Sequence, residues 1–161
     1  MDAANTNAMV KYVKTDDILG DMQSIINASQ NAAYQAVNLA LIRRNWLLGY
    51  RIAEEELKGE ERAEYGAGII KKLSKELTAI YGHGFTKSNL YSFYAFYKAY
   101  PQIFQTPSGK FDSGLSWSHY AALLQVKDET ARNWYASEAM SQCWSVKTLQ
   151  RNISSQYYYR L

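Results

Sequence analysis

The stretch Ile69-Ile70-Lys71-Lys72-Leu73-Ser74-Lys75-Glu76-Leu77-Thr78-Ala79-Ile80-Tyr81-Gly82-His83-Gly84-Phe85-Thr86-Lys87-Ser88-Asn89-Leu90-Tyr91-Ser92-Phe93-Tyr94-Ala95-Phe96-Tyr97-Lys98-Ala99-Tyr100 decides the fold. Its first part repeats Ile69, Leu73, Leu77 and Ile80 at helical spacing as an expected core face, with Lys71, Lys75 and Thr78 on or near the opposite side. Lys72 and Glu76 stand four apart, where an exposed pair contributes about 0.3 kcal/mol. Gly82-His83-Gly84-Phe85 then breaks the periodicity with turn residues. Thr86 follows as an N-cap, its hydroxyl able to accept from an otherwise unpaired amide. At about 100° per residue from Lys87, the residues Leu90, Phe93, Tyr94, Tyr97 and Tyr100 share one broad face. Ser88, Ser92, Ala95 and Ala99 fall on another, flanked by Lys87, Tyr91 and Lys98. Helix, glycine turn, helix is the layout of a helix-turn-helix, in which the second helix enters the DNA major groove by its first turn.

Working outward, Met1 to Thr15 lacks periodicity and reads as a flexible N-terminus, since terminal segments order only when tied down. Asp16 and Asp17 make an N-terminal cap for the first helix. Ile18, Met22, Ile26, Ala33, Val37, Leu41, Leu48 and Ile52 recur near helical spacing, which predicts one long helix, or two in succession, from about Asp17 to Leu57. Gly49 inside it marks either a bend or a close helix contact, and Arg43 and Arg44 interrupt the apolar stripe beside Trp46. Lys58-Gly59-Glu60-Glu61 closes the element. Beyond Pro101, residues Gln102 to Gly114 read as a loop. Three short C-terminal helices occupy 115–161: one capped by Ser116 or Ser118 through Val126, one capped by Asp128 through about Gln142, and one capped by Ser145. The last buries Val146, Leu149, Ile153 and Tyr157 and runs almost to Leu161. With no stop signal there, the chain reads as part of a longer protein or as leading into a second domain. No strand alternation is visible, so the expected class is all-α: a single multi-helix domain over 16–161 with a long N-terminal helix.

At 161 residues the chain can bury a real core. No run approaches the roughly 18 apolar residues that span a membrane, and Met1 to Val10 lacks the layout of a secretory signal. The lone Cys143 rules out an intrachain disulfide framework and reads as an inert packed thiol in a cytoplasmic protein. The net charge of +3 is unevenly spread. Met1 to Gly68 carries seven basic and ten acidic side chains, whereas Ile69 to Leu161 carries eleven basic and five acidic. Between Ile69 and Phe111 six lysines face Glu76 alone, so the positive charge coincides with the helix-turn-helix pattern.

Catalysis has no constellation to rest on. His83 and His119 are far apart, without Cys or carboxylate partners at metal spacing, and no phosphate loop or nucleophile elbow is present. Glu54-Glu55-Glu56 reads as a solvated helix face. Neither a catalytic residue, a metal nor a cofactor is therefore expected of this chain. The expected partner is double-stranded DNA, with Thr86, Lys87, Ser88, Asn89, Tyr91 and Ser92 at the groove and Lys71, Lys72, Lys75 and Lys98 on phosphates. The alternative is that the small-residue stripe packs against another helix, the lysines only solubilise, and the domain is a protein-interaction module that holds a homodimer or a partner.

Five blocks carry a resemblance: Trp46-Leu47-Leu48-Gly49-Tyr50-Arg51-Ile52, Leu73-Ser74-Lys75-Glu76-Leu77, Gly84-Phe85-Thr86-Lys87-Ser88-Asn89-Leu90, Leu115-Ser116-Trp117-Ser118-His119-Tyr120 and Trp144-Ser145-Val146-Lys147-Thr148-Leu149. Over roughly Ile42 to Leu161 the chain resembles the N-terminal domain of YhcG-type bacterial proteins, which precedes a PD-(D/E)XK nuclease domain. Leu115-Ser116-x-x-His119, Val126-Lys127-Asp128 and Ser145-Val146-x-x-Leu149 also look like the DNA-binding core of ParB-type proteins. The resemblance implies that Thr86 to Ser92 opens a recognition helix. It further implies that a C-terminal nuclease domain of a longer parent protein is a partner. Nothing in this chain supplies that nuclease's strands or carboxylates.

Overall fold

The computed structural model describes residues 12–58, 63–103 and 114–161, the side chains of 56–58 and 63–65 excepted. The expectation for residues 1–11, the closing segment 59–62 and the loop 104–113 lies outside the described residues. The elements in order are α1 (Ile18–Lys58), α2 (Ala63–Tyr81), α3 (Lys87–Ala99), α4 (Trp117–Leu123), α5 (Glu129–Ser141), α6 (Val146–Ser154) and a 3-10 turn (Tyr157–Arg160). No strand occurs among the described residues. The fold is all-α with a long N-terminal helix. The chain divides into two compact units, 1–40 and 41–161.

In the first unit, the start of α1 is built by Thr15 and Asp21. The Thr15 amide and hydroxyl donate to the two Asp21 carboxylate oxygens at 3.0 and 2.7 Å. The Asp17 amide donates to the Thr15 hydroxyl, and the Asp21 amide to the Asp17 carbonyl. Asp17 thus holds the cap position, while the Asp21 carboxylate sits favourably in the first turn. The apolar stripe of this unit is not buried: Ile18, Met22, Ile26 and Val37 are all exposed.

In the second unit, Gly49 settles the choice left open by sequence. It lies against the α3 backbone, where a Cβ would fall 2.6 Å from the Phe93 carbonyl carbon and nearer still to its oxygen. This close approach lets Trp46 donate from Nε1 to the Tyr100 carbonyl at 2.9 Å and stack on Tyr50, with Tyr97 edge-on to both rings. Ile70, Leu90 and Phe93 form a small core where α2 packs on α3. The larger core gathers Ile42 and Trp46 of α1, Phe96 of α3, and Leu115, Leu123, Val126, Tyr135 and Leu149 of the C-terminal half. Trp117 joins the two, its ring edge-on to Phe93 and Phe96. Phe96, at the margin of the expected apolar face and not assigned to it, is 0% exposed.

Each expected cap in this half forms. Thr86, Asp128 and Ser145 accept from amides in the first turns of α3, α5 and α6. Ser116, not Ser118, caps α4, because His119 three residues on returns the bond. The Ser116 amide donates to His119 Nδ1 at 3.1 Å, and His119 Nε2 lies 2.8 Å from the Trp144 carbonyl. A carbonyl only accepts, so the proton sits on Nε2 and Nδ1 is the acceptor. The Ser-x-x-His pattern is therefore a capping box that ties α4 to the start of α6.

Several expectations need correction. Ile80, expected on the core face of α2, is 70% exposed. α4 ends at Leu123 rather than Val126, because the Gln125 and Val126 amides turn back onto the Ala122 and Leu123 carbonyls. α6 stops at Ser154, because Gln156 takes a left-handed backbone (φ 55°) and turns the chain into the 3-10 segment. There the Tyr158 amide donates to the Tyr135 hydroxyl at 3.0 Å, which makes Tyr158 rather than Tyr157 the half-buried tyrosine of the tail. Cys143 is exposed, at the left-handed position (φ 52°) where the Trp144 amide closes onto the Ala139 carbonyl after α5. Lys72 and Glu76 form no ion pair. Such exposed pairs gain little over the entropy of holding two long side chains together; Arg51 and Glu55, at 2.7 Å, are the pair seen among the described residues.

Tyr100 gives the core a pH dependence. Burial pushes its phenol above the ordinary value of 10, and the nearby Arg132 guanidinium pulls it only partly back. The folded state then holds this proton more tightly than the unfolded state. Its contribution to stability is complete below the unfolded value and is lost as pH rises through the raised folded one. Stability should fall in denaturant melts above about pH 10, and Tyr100→Phe should flatten that decline.

Candidate nucleic-acid interface

The turn between α2 and α3 requires its glycines. Gly82 (φ 84°) and Gly84 (φ 104°) both occupy the left-handed region, which an L side chain enters at a cost of about 1–2 kcal/mol. Gly82 ends α2 with its amide on the Thr78 carbonyl. Thr86 then starts α3 by accepting from the Asn89 amide at 3.1 Å, while Asn89 Nδ2 reaches back to the Gly84 carbonyl at 3.1 Å. The first turn of α3 is thereby stapled to the loop before it. Asn89 commits its NH2 group to the staple and keeps its carbonyl oxygen for another partner.

α3 buries Leu90, Phe93 and Phe96 on one side. On the other, Lys87, Ser88, Tyr91, Ala95 and Lys98 are all exposed, so no helix of the second unit covers that face. Ser92 is half-buried, and its hydroxyl donates to the Ser88 carbonyl at 3.0 Å, leaving only lone pairs to offer. Lys98 lies over the Tyr94 ring, 5.5 Å from its centroid. Thr86 and Asn89 are exposed at the helix start, and Lys71, Lys72 and Lys75 are exposed along α2. The small-residue stripe that sequence left between two readings is open to solvent at Ser88 and Ala95 and partly covered at Ser92 and Ala99.

Arg44 is a cation that periodicity did not assign to this region. Its guanidinium donates to the Asn45 side-chain oxygen through Nε and Nη2 at 3.0 and 2.9 Å, and lies over the Phe85 ring at 5.5 Å. Asn45, 1% exposed, is the buried polar residue that orients it. The signal in sequence was the Arg43-Arg44 break in an apolar stripe, but helical spacing alone could not say that Phe85 lay within reach. A concavity of about 490 Å³ between α1 and α2 is lined by Leu48, Ile52, Leu73 and Leu77 together with Arg51, Glu55, Lys72 and Glu76. Among the described residues, no group of three or more His, Cys, Asp or Glu side chains is placed to hold a metal ion. No described helix is long and apolar enough to cross a membrane.

The sequence matches the DUF1016 N-terminal domain over residues 21–160. The chain belongs to that family. It is similar to the Escherichia coli K12 protein named "Putative nuclease YhcG", at 32% identity over 163 aligned positions that cover 84% of this chain. Those positions make up 44% of the relative, so this DUF1016 N-terminal domain spans less than half of that protein's length. No solved structure matches the chain. The five sequence blocks thus pointed to the right family, one associated by name with a nuclease.

Proposed function

We propose that this DUF1016 N-terminal domain binds double-stranded DNA through a helix-turn-helix formed by α2 and α3, and that it directs a nuclease domain in a longer cytoplasmic parent protein. One observation carries the reading: α3 is anchored along Leu90, Phe93 and Phe96, while its opposite face is open, small and cationic. A helix so held can seat its first turn in a major groove without displacing its own core. Lys87, Ser88, Tyr91 and the Asn89 oxygen then face base edges, and Lys71, Lys72, Lys75 and Lys98 meet phosphates, which position the protein without specifying sequence. Thr86 sets the helix start, and Ser92 supports the stripe through its bond to Ser88. The relative's printed name motivates the nuclease assignment, and residues 16–161 serve as one targeting module.

Fluorescence anisotropy on a labelled duplex across a salt series tests this. With three to five phosphates neutralised, log affinity should fall against log salt with a slope of roughly −3 to −4. Lys75→Ala should flatten that slope by about 1. An absence of binding at low salt would sink the proposal.

A further inference from the structure

We infer that the N-terminal half of α1 is a self-association surface that pairs antiparallel with the same segment of a second copy of this chain. Leu19, Ile26, Ala33 and Ala40 recur every seven residues, and Met22, Ser29 and Ala36 repeat the same interval three residues on. That is the double seam of a coiled coil. In the isolated chain the large members are left in water: Leu19 is 64%, Met22 55% and Ile26 53% exposed. Neighbouring Ile18 and Val37 are exposed as well. No charged residue occurs from Met22 to Ile42, whereas a helix face meant for solvent ordinarily carries charge.

Two features select the occupant and its direction. The first is charge. Asp16, Asp17 and Asp21 stand at one end of the uncharged stretch, and Arg43 and Arg44 at the other. Two copies laid antiparallel bring the acidic end of each over the basic end of the other, and also oppose the helix dipoles. A parallel pair would set like charges side by side. The second is size. The seam is bulky near its start and small near its end, so antiparallel pairing places Met22 opposite Ala40, Ile26 opposite Ala36 and Ser29 opposite Ala33 of the second copy. Met22 and Ile26 then each meet a small side chain, and Leu19 lies opposite Arg43 at the charged end of the seam. The arrangement is two-fold symmetric and closes at two chains.

Sedimentation velocity on the chain and on Ile26→Glu is the test. The wild-type chain should sediment as a dimer, and the variant should raise the dissociation constant by about 100-fold or more, because its carboxylate would be buried unpaired in the seam. Since Ile26 is exposed in the monomer, the variant's helical signal and melting should match wild type at dilutions where both are monomeric, and only the wild type should melt higher as concentration rises. In a Cys143→Ser background, oxidising a mixture of Met22→Cys and Ala40→Cys chains should cross-link one to the other, while Met22→Cys alone should not couple to itself. A monomeric wild type, an Ile26→Glu chain that still dimerises, or self-coupling of Met22→Cys would each overturn the inference.

Discussion

Replacing Gly49 by alanine should lower the thermal midpoint by about 6–12 °C, a loss of roughly 3 kcal/mol for a domain of this size. The sign is the informative part. A glycine inside a helix costs about 1 kcal/mol relative to alanine, so on an isolated α1 the substitution would stabilise. Here the added methyl collides with the Phe93 carbonyl, and the Tyr94 nitrogen is 3.1 Å away. These are backbone atoms of a helix fixed by Leu90, Phe93 and Phe96, so neither rotamer change nor a small shift relieves the overlap. α1 must instead move off α3, opening the Trp46 bond to Tyr100 and the ring contacts with Tyr97. Gly68→Ala is the control. Gly68 lies inside α2 with open space where its Cβ would be, and the same substitution there should stabilise by about 1 kcal/mol. Paired thermal melts read both; if Gly49→Ala also stabilises, the close helix crossing is not a feature of the fold.

That crossing shows how far the sequence could be read. Gly49 was recognisable as a position where something unusual happens, but a bend and a contact look alike until the partner helix is known. Capping was legible because it is local: Thr86, Asp128 and Ser145 stand immediately before their helices, and the bond partner is always two or three residues on. Ser116 over Ser118 needed the additional fact that a histidine can close a capping box. The exposed arc of α3 was also legible, since Lys87, Ser88, Tyr91 and Lys98 fall together at helical spacing. Phe96 was missed because it lies at the margin of that arc, where burial is decided by α4 rather than by α3 itself. Gln156 and Cys143 were missed for a different reason. Neither residue type announces a left-handed backbone; each is held there by hydrogen bonds around it, the Ser155 and Gln156 amides onto Arg151 and Ile153, and the Trp144 amide onto Ala139. Periodicity also marked Ile18 to Val37 correctly as helix, but an apolar stripe does not say whether its cover comes from the same chain.

Reversing three lysines together, Lys71→Glu, Lys75→Glu and Lys87→Glu, should weaken duplex binding about a thousandfold at moderate salt, because each exchange removes a phosphate contact and adds a repulsion. Two of the three sit on α2 and one at the start of α3, so the variant reverses the field on both sides of the glycine turn. All three side chains are exposed, and exposed substitutions usually change stability by no more than about 0.5 kcal/mol each. The melting temperature and the sedimentation behaviour should therefore stay close to wild type while binding is lost. That separation divides the DNA reading from its rival. If the lysines serve only for solubility and the domain acts by holding protein partners, the triple variant should bind duplex as weakly as the wild type does, with the same shallow salt dependence. If α3 enters a groove, Ser88→Ala should in addition narrow the difference between preferred and non-preferred duplexes while leaving the salt slope intact, because a base-edge contact carries specificity and a phosphate contact does not.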